Sequence, residues 1–521
     1  MSPKRPKVWL VLIVVLYLLL AVIYAVQVPA WQAPDEPAHY TYVHELAVTG
    51  QFPVLRMGDY DQAYLEHLKA ARFPSDLSIA PIRYEAHQPP LYYLLAGLVF
   101  RATSGELIAL RLFSAALGAL LVLLTYAIAA TIFPGRLHLA LGAAAFVAFL
   151  PMHLALAASV NNDALAEVLL AAVLLLSIRY VRKIVVEAQS PRPASVLLLG
   201  LLLGLALVTK VSAYVAAPVA LAAPLIGWYE SRRQGNPPFH ASRFTGHVLL
   251  IAAPALLIAL PWYVRNAAVY GHLDILARRW HDTVVVGQLR TGDLLAQVGL
   301  GAVLERFIVW SHDSFWGVFG WMGVWMDSRV YTLLLAFTVA VLTGCIVLTI
   351  RKFCQARRGN FVPTPHSPLP TPQAARFRSW SLALLALSTC LTMGIYLSYN
   401  LIFVQSQGRY LFPALPAIGL AVALGWQEAL QPIAARWTGI VLVVSAALAG
   451  VIGWLREGVN SWSVALLGGA GAVFIAWSLL LARVSAAWRH RLTTAAFILP
   501  FVLLVLLDVV ALAWFILPQL T

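Results

Sequence analysis

Apolar residues run along this chain in long unbroken stretches, with the polar positions gathered between them. The stretches are about twenty residues long, the length a helix needs to cross roughly 30 Å of hydrocarbon. They predict thirteen spanning helices, at about 8–28, 107–132, 137–156, 163–183, 194–209, 211–229, 246–264, 329–350, 379–402, 409–428, 436–455, 461–482 and 492–516. The first run follows a basic start, Ser2-Pro3-Lys4-Arg5-Pro6-Lys7, and reads as a retained anchor because it is too long for a cleaved signal. Residues 91–101 (LYYLLAGLVFR) are apolar but too short to span, and are expected to form an interfacial or re-entrant helix. The fold class that follows is an all-α polytopic membrane protein with two long loops, 29–106 and 265–329, carrying interfacial helices on one face.

Composition excludes the alternatives. Of 521 residues, 61% are apolar and 11% charged, where a soluble domain would carry about a quarter of its residues charged. Lys and Arg outnumber Asp and Glu by 36 to 22, a net +14. If the N-terminus is cytoplasmic, 21 of those 36 basic residues fall in inner loops, as the positive-inside rule requires. The short outer connections hold only Lys210, Arg409 and Arg456, and the C-terminus ends outside. Fifteen of the 22 acids lie in the two long outer segments. The positive charge is therefore topogenic and does not indicate nucleic acid. The expected location is the plasma (inner) membrane. Three parts are expected: a membrane module over 1–350, a cytoplasmic linker over 351–378 with Pro363, Pro365, Pro368, Pro370 and Pro372, and a helical membrane module over 379–521. Cys345, Cys354 and Cys390 form no disulfide or metal-binding pattern.

Candidate chemistry concentrates on the outer side. Asp35 and Glu36 lie just beyond the first span, in Ala33-Pro34-Asp35-Glu36-Pro37-Ala38-His39-Tyr40. Paired carboxylates at a membrane surface suit a general base or a cation site. Glu36 before Pro37 also suits an N-cap, opening a helix that stops near Gly50. His39 and His44 follow, without an identifiable third metal ligand. His87, in Tyr84-Glu85-Ala86-His87-Gln88-Pro89-Pro90-Leu91-Tyr92-Tyr93, stands where an anionic headgroup would sit. Asp163, after Ser159-Val160-Asn161-Asn162, either belongs to a helix start or orients a substrate hydroxyl. Lys210 is a lone charge between two apolar runs, costly unless paired or hydrated. Arg409, after Gln405-Ser406-Gln407-Gly408, offers a planar fork suited to phosphate oxygens. Pro261-Trp262-Tyr263-Val264-Arg265-Asn266 and the aromatic Phe315-Trp316-Gly317-Val318-Phe319-Gly320-Trp321-Met322 belong to the second outer segment. The latter is expected to lie in the interface as a wall of a lipid-facing groove or a simple anchor. No GxxxxGK[ST] and no GxGxxG between strand and helix occurs.

In order, Pro34-Asp35-Glu36, His87-Gln88-Pro89-Pro90-Leu91-Tyr92-Tyr93, Asn162-Asp163, Thr209-Lys210, Leu260-Pro261-Trp262 and Gly408-Arg409-Tyr410-Leu411 resemble the GT-C superfamily of polyprenyl-phosphate-dependent glycosyltransferases. The resemblance is to its bacterial protein O-mannosyltransferase and lipid A aminoarabinose transferase group, and it covers roughly residues 1–430. It implies an inverting transferase on the outer face, moving a monosaccharide from a polyprenyl-phosphate lipid to a protein, lipid or glycan acceptor. Asp35 inherits the role of catalytic base and Glu36 a supporting one. His87 stands where relatives commonly carry a phosphate-touching lysine, and a neutral histidine is the poorer anchor. Asp163 matches a substrate-orienting acid, and Lys210 and Arg409 match the phosphate-binding side. Tyr92, Tyr410 and Arg265 complete the candidate substrate-binding set. A nucleotide-style DxD metal site is not required and no cofactor is assigned; some members use a divalent cation, which leaves open a metal near Asp35, Glu36 and His39. The rival readings are a transporter or glycolipid flippase, and a scaffold without catalysis. A transporter predicts polar residues along a path through the bilayer, whereas here the charges cluster on one side.

Overall fold

The structure, a computed structural model, describes residues 5–233, 241–357 and 372–521. Ser2, Pro3 and Lys4, and the linker prolines Pro363, Pro365, Pro368 and Pro370, lie outside the described residues. The expected spans appear as helices, among them Arg5–Gln27, Leu107–Ile132, Asp163–Val185, Ala241–Tyr270, Ser328–Arg357, Pro372–Asn400, Pro432–Leu455 and Ser461–Arg483. Among the described residues, twelve helices are long and apolar enough to cross a membrane, or thirteen with one bent pair. The largest buried core among the described residues runs from Tyr17 in the first helix to Ile516 near the C-terminus and draws on both expected membrane modules.

The bent pair occupies the run expected as one span at 137–156. Leu137–Ala148 and Pro151–Ala157 meet at 63°. Pro151 has no N–H to give the carbonyl four residues back, which is that of Val147. His153 supplies the missing donor, its Nδ1 lying 3.0 Å from that oxygen, while its Nε2 meets the buried Glu167 carboxylate at 3.1 Å. In hydrocarbon a freed backbone group needs such a partner.

Contacts between connections sort the helix ends into two faces. On one face, Leu91 N–H reaches the Val208 carbonyl at 2.9 Å, and Thr291 N–H the Ile402 carbonyl at 3.1 Å. Arg72 reaches the C-terminal Thr521 carbonyl at 2.8 Å on the same side. On the other, Arg136 meets Gln427, Arg351 meets Glu428, and Arg376 meets Glu230.

This sorting fits the expectation of interfacial helices in 265–329 and corrects the one for its aromatic stretch. The segment is dominated by one long helix, Thr291–Gly317, apolar enough to be counted as a span. It does not link the faces. Thr291 pairs with Ile402 at its start, Glu305 takes Arg456 at 2.6 Å, and Ser314 takes the Gly408 N–H at 2.8 Å near its end. All three partners belong to connections of one face, so the helix lies along that face, broken at Gly299 (φ 77°, ψ 165°). The aromatic stretch 315–322 is not a lipid-facing wall. It ends this helix and starts a two-stranded hairpin, Val318–Phe319 with Val324–Trp325, and Trp316, Val318 and Phe319 are buried in the core. Alternating large apolar residues read equally well as membrane anchors or as core, and here tertiary packing decides.

The short helix Leu91–Ala102 forms where expected, on the same face. Beside it lies Glu36–Thr49, which ends at Gly50 in a left-handed conformation (φ 71°).

Candidate active site

The site grows from the end of the first helix. Arg111, inside an apolar span, turns its guanidinium to the last carbonyls of Arg5–Gln27 and to the loop beyond. Nη1 donates to Ala25 and Val28 at 2.9 and 2.7 Å, and Nη2 to Pro29 at 3.0 Å. The Ala25 carbonyl, in the last turn, has no partner within its own helix. The same guanidinium forks onto Glu36, Nε to Oε1 at 2.8 Å and Nη2 to Oε2 at 2.6 Å. Glu36 also accepts the N–H groups of Trp31 and Val160 at 3.0 and 3.2 Å. It is fully buried and fully occupied. Expected as a second catalytic carboxylate and as the helix cap, Glu36 instead rivets three elements together, and the capping position belongs to Asp35.

That rivet aims Asp35. Its backbone is left-handed (φ 66°, ψ −6°), a conformation aspartate tolerates better than most residues. Oδ1 accepts the Tyr84 hydroxyl at 2.8 Å, and Oδ2 accepts Arg409 Nη2 at 2.8 Å. Burial pushes the carboxyl up, but Arg409 above all, with the Tyr84 hydroxyl, more than offsets it and holds the pKa below the ordinary carboxylate value. Arg409 is fixed on its other edge, where Nε donates to Gln407 at 2.7 Å, and its guanidinium lies 5.4 Å from the Tyr410 ring. Tyr410 in turn packs against Tyr396 and Tyr399. Gly408 lets this turn close on the Thr291–Gly317 helix, because any side chain there would collide with the Ser311 carbonyl.

A second acid–base pair stands on the same face. Lys210 meets Asp163 at 2.7 Å, with side chains 19% and 29% exposed, so both reach solvent. Hydrogen bonds link the two pairs. His39 N–H donates to the Asp35 carbonyl at 3.0 Å, His39 Nδ1 lies 2.9 Å from the Tyr93 hydroxyl, and Asn162 Nδ2 donates to that hydroxyl at 3.3 Å. Tyr42 stacks on Tyr93 with ring centroids 3.6 Å apart.

The remaining expected residues divide. His87 lies beside the site, its Nδ1 on the Tyr84 carbonyl at 3.0 Å and its ring 4.7 Å from that of His281. Burial first, then His281, pushes its pKa down to about 3, so it is neutral. Tyr92 does not face the site. It is fully buried, bonded to Ser114 at 2.8 Å and to the Asn161 N–H at 3.2 Å. Arg265 is committed to the Phe52 and Pro53 carbonyls at 3.3 and 2.6 Å and lies over Trp262. Both were expected to bind substrate; both are held by their own neighbours. Asp35, Glu36 and His39 do not fit a metal ion. Glu36 is filled by Arg111 and His39 Nδ1 is engaged by Tyr93, and no three His, Cys, Asp or Glu side chains gather as ligands among the described residues.

Two functional features escaped sequence reasoning. Arg111 was hidden inside an apolar run, where a lone arginine was itself the available signal. Glu85, in the turn Tyr84–His87, has its carboxyl pushed up to about 7 by burial first and by Asp35 next.

His39 yields a stability prediction. Burial first, then Lys210, pushes its pKa down to about 3, from an ordinary 6.5. Between those values the unfolded chain binds the extra proton, so stability falls as pH drops through 6.5, by up to about 1.4 kcal/mol per pH unit for this residue. His87 adds in the same direction. The unfolding midpoint in detergent is expected to fall on acidification below 6.5, and less steeply in His39→Asn.

Residues 83–277 match the family model for dolichyl-phosphate-mannose-protein mannosyltransferases. No curated protein matches the sequence. Among solved structures, ArnT from Cupriavidus metallidurans bound to undecaprenyl phosphate is 15% identical, with a TM-score of 0.48 and coverage of 97% of this chain and 76% of that one. The S. cerevisiae protein O-mannosyltransferase Pmt1-Pmt2 complex bound to the sugar donor is 18% identical, with a TM-score of 0.36 and coverage of 53% and 35%. The Archaeoglobus fulgidus oligosaccharyltransferase in complex with Zn and sulfate is 13% identical, with a TM-score of 0.39 and coverage of 88% and 53%. Similarity at this level leaves the roles of residues to the geometry of this chain. The matched stretch contains Tyr84, His87, Asp163 and Lys210 but neither Asp35, which the Tyr84 hydroxyl ties to it, nor Arg409, which bonds to Asp35. Over residues 83–277, then, this polytopic membrane protein is similar to the dolichyl-phosphate-mannose-protein mannosyltransferase family, in keeping with the resemblance its ordered motifs carry.

Proposed function

We propose that the chain transfers a monosaccharide from a polyprenyl-phosphate lipid to an acceptor hydroxyl on the outer face of the membrane, in one inverting displacement. The observation that carries this reading is the Asp35–Arg409 ion pair, 2.8 Å long, on the same face as Lys210–Asp163. Two cations wait there, each already countered by a carboxylate. A donor phosphate offers each cation a stronger and geometrically matched partner, since guanidinium and phosphate pair through parallel hydrogen bonds. As the phosphate takes Arg409, the Oδ2 of Asp35 loses its partner and with it the charge that kept the carboxylate a weak base. Tyr84 still holds Oδ1 and keeps the group aimed.

The acceptor oxygen then attacks the anomeric carbon on the side opposite the phosphate. Its proton passes to Asp35, the bond from the anomeric carbon to the phosphate oxygen breaks, and the electron pair leaves with the polyprenyl phosphate. Arg409 and Lys210 stabilise the charge that grows on that oxygen. Because the ligand set near Asp35 does not fit a metal, no step is routed through one.

The reading is tested with the full chain in lipid vesicles, supplied with radiolabelled polyprenyl-phosphate monosaccharides and a panel of hydroxyl acceptors. Label is expected in the acceptor, with the anomeric configuration opposite to that of the donor by NMR. Retained configuration refutes the single displacement, and absence of transfer refutes the reading.

A further inference from the structure

The chemistry above leaves one carboxyl of the site unused. Glu85 sits between Tyr84, which donates to Asp35, and His87, whose ring faces His281. Its Oε2 is buried without a hydrogen-bond partner. A buried carboxyl oxygen left in this state keeps its full desolvation penalty, so native structures rarely hold one without a use. Two neighbours share the condition: Gln88 Oε1 and Asn162 Oδ1 are also buried and unpartnered. Tyr42 donates to the Gln88 backbone carbonyl at 3.1 Å and stacks on Tyr93, which takes the Asn162 amide, so one aromatic pair holds the Gln88 backbone and the Asn162 side chain. An amide can turn over and present a donor, whereas a carboxylate cannot. As placed, all three empty atoms are acceptors, and the Glu85 carboxyl, when ionised, can only accept. A phosphate, itself an acceptor, cannot satisfy them, but a hydroxyl can.

We propose that Glu85 is a further substrate-contacting residue, accepting a hydrogen bond from a hydroxyl of the transferred sugar or of the acceptor. Gln88 and Asn162 line the same hydroxyl-binding wall. This rests on the transfer reaction proposed above and divides the site: cations for the phosphate, empty acceptors for the hydroxyls.

The electrostatics fit that role. Burial, Asp35 and Asp163 push the Glu85 carboxyl up, Lys210 and His281 pull it down, and it comes to about 7. Tyr84 and Tyr93 lie in the same field and stay protonated there. Tyr399 and Tyr410 face it from the other half of the chain. The ionised form is the stronger acceptor, so hydroxyl binding tightens as pH rises through neutrality.

Glu85→Gln in the reconstituted full chain tests this, with donor and acceptor varied separately between about pH 6 and about pH 8, either side of an ordinary site's neutral working range. One KM is expected to rise about tenfold while kcat stays within about twofold, as loss of one charge-assisted hydrogen bond predicts. The fall of that KM with pH is expected to disappear. A rise in the donor KM assigns the hydroxyl to the sugar; a rise in the acceptor KM assigns it to the acceptor. Unchanged KM values with an unchanged pH profile overturn the proposal. A structural role alone would lower the thermal midpoint without separating KM from kcat. Infrared difference spectroscopy on the wild-type chain covers a variant that fails to fold: a carboxyl band titrating near 7 is expected to shift when polyprenyl-phosphate monosaccharides or the acceptors bind, and a band that none of them moves overturns the proposal. This arm reads binding, so it decides Glu85 even if no sugar transfer is found and the reaction itself is refuted.

Discussion

Replacing Arg111 with alanine is expected to destabilise the folded chain by about 3–5 kcal/mol, the cost of leaving a buried carboxylate without its partner. Glu36 is fully buried, and two backbone N–H groups are all it keeps once the guanidinium is gone. The measurement is the unfolding midpoint in detergent. An apolar replacement of the pair, Arg111→Met with Glu36→Leu, sharpens it. Buried ion pairs exchanged for apolar residues often cost little. Here Arg111 also serves the Ala25, Val28 and Pro29 carbonyls, which an apolar pair leaves empty. The double variant is therefore expected to stay well below wild type, and a wild-type midpoint would show that the carbonyl bonds contribute nothing. Because the rivet aims Asp35, activity in either variant is expected to fall faster than stability.

The second large effect concerns Arg409. Arg409→Ala is expected to lower kcat about 10²–10³-fold, the scale seen when one preorganised donor to developing charge is removed. Arg409→Lys is expected to recover only part of the loss. A lysine brings the charge but not the fork that now reaches Gln407 and Asp35 from two edges, at 2.7 and 2.8 Å. Initial rates at saturating donor check both, and wild-type kcat in Arg409→Ala would remove it from the reaction. With Arg409 absent the Asp35 carboxyl loses its main lowering influence, so its pKa is expected to rise. The acid limb of the rate profile in Arg409→Lys is therefore expected to lie no lower than in wild type.

How much of this was legible in the sequence follows from the range of each signal. Spans are local and long, and the helices fell where the apolar runs did, even for the fifteen-residue Pro193–Leu207. The break at Pro151 was invisible, because composition does not register a bend that His153 repairs. The Thr291–Gly317 helix was legible only as an interfacial helix without bounds, because glycines and charges interrupt its apolar pattern. Asp35, Asp163, Lys210 and Arg409 were legible one by one as charges at one membrane face. That Asp35 and Arg409 touch was not, since 374 positions separate them and nothing local encodes their pairing. Tyr92 and Arg265 were chosen for lying beside motifs, and adjacency in sequence proved a poor guide to which way a side chain turns. Glu36 was chosen as one of a carboxylate pair, yet successive residues at a helix start point apart, one to the site and one to the core.

The central claim is that Asp35 takes the proton of an acceptor hydroxyl while a lipid-linked phosphate leaves at Arg409. Its most direct test is the initial rate of radiolabelled sugar transfer from polyprenyl phosphate in vesicles, Asp35→Asn against wild type at equal folded protein. The asparagine keeps the shape of the side chain and loses the base, so the rate is expected to fall about 10²–10⁴-fold while donor binding persists. Transfer by Asp35→Asn at the wild-type rate would contradict the account.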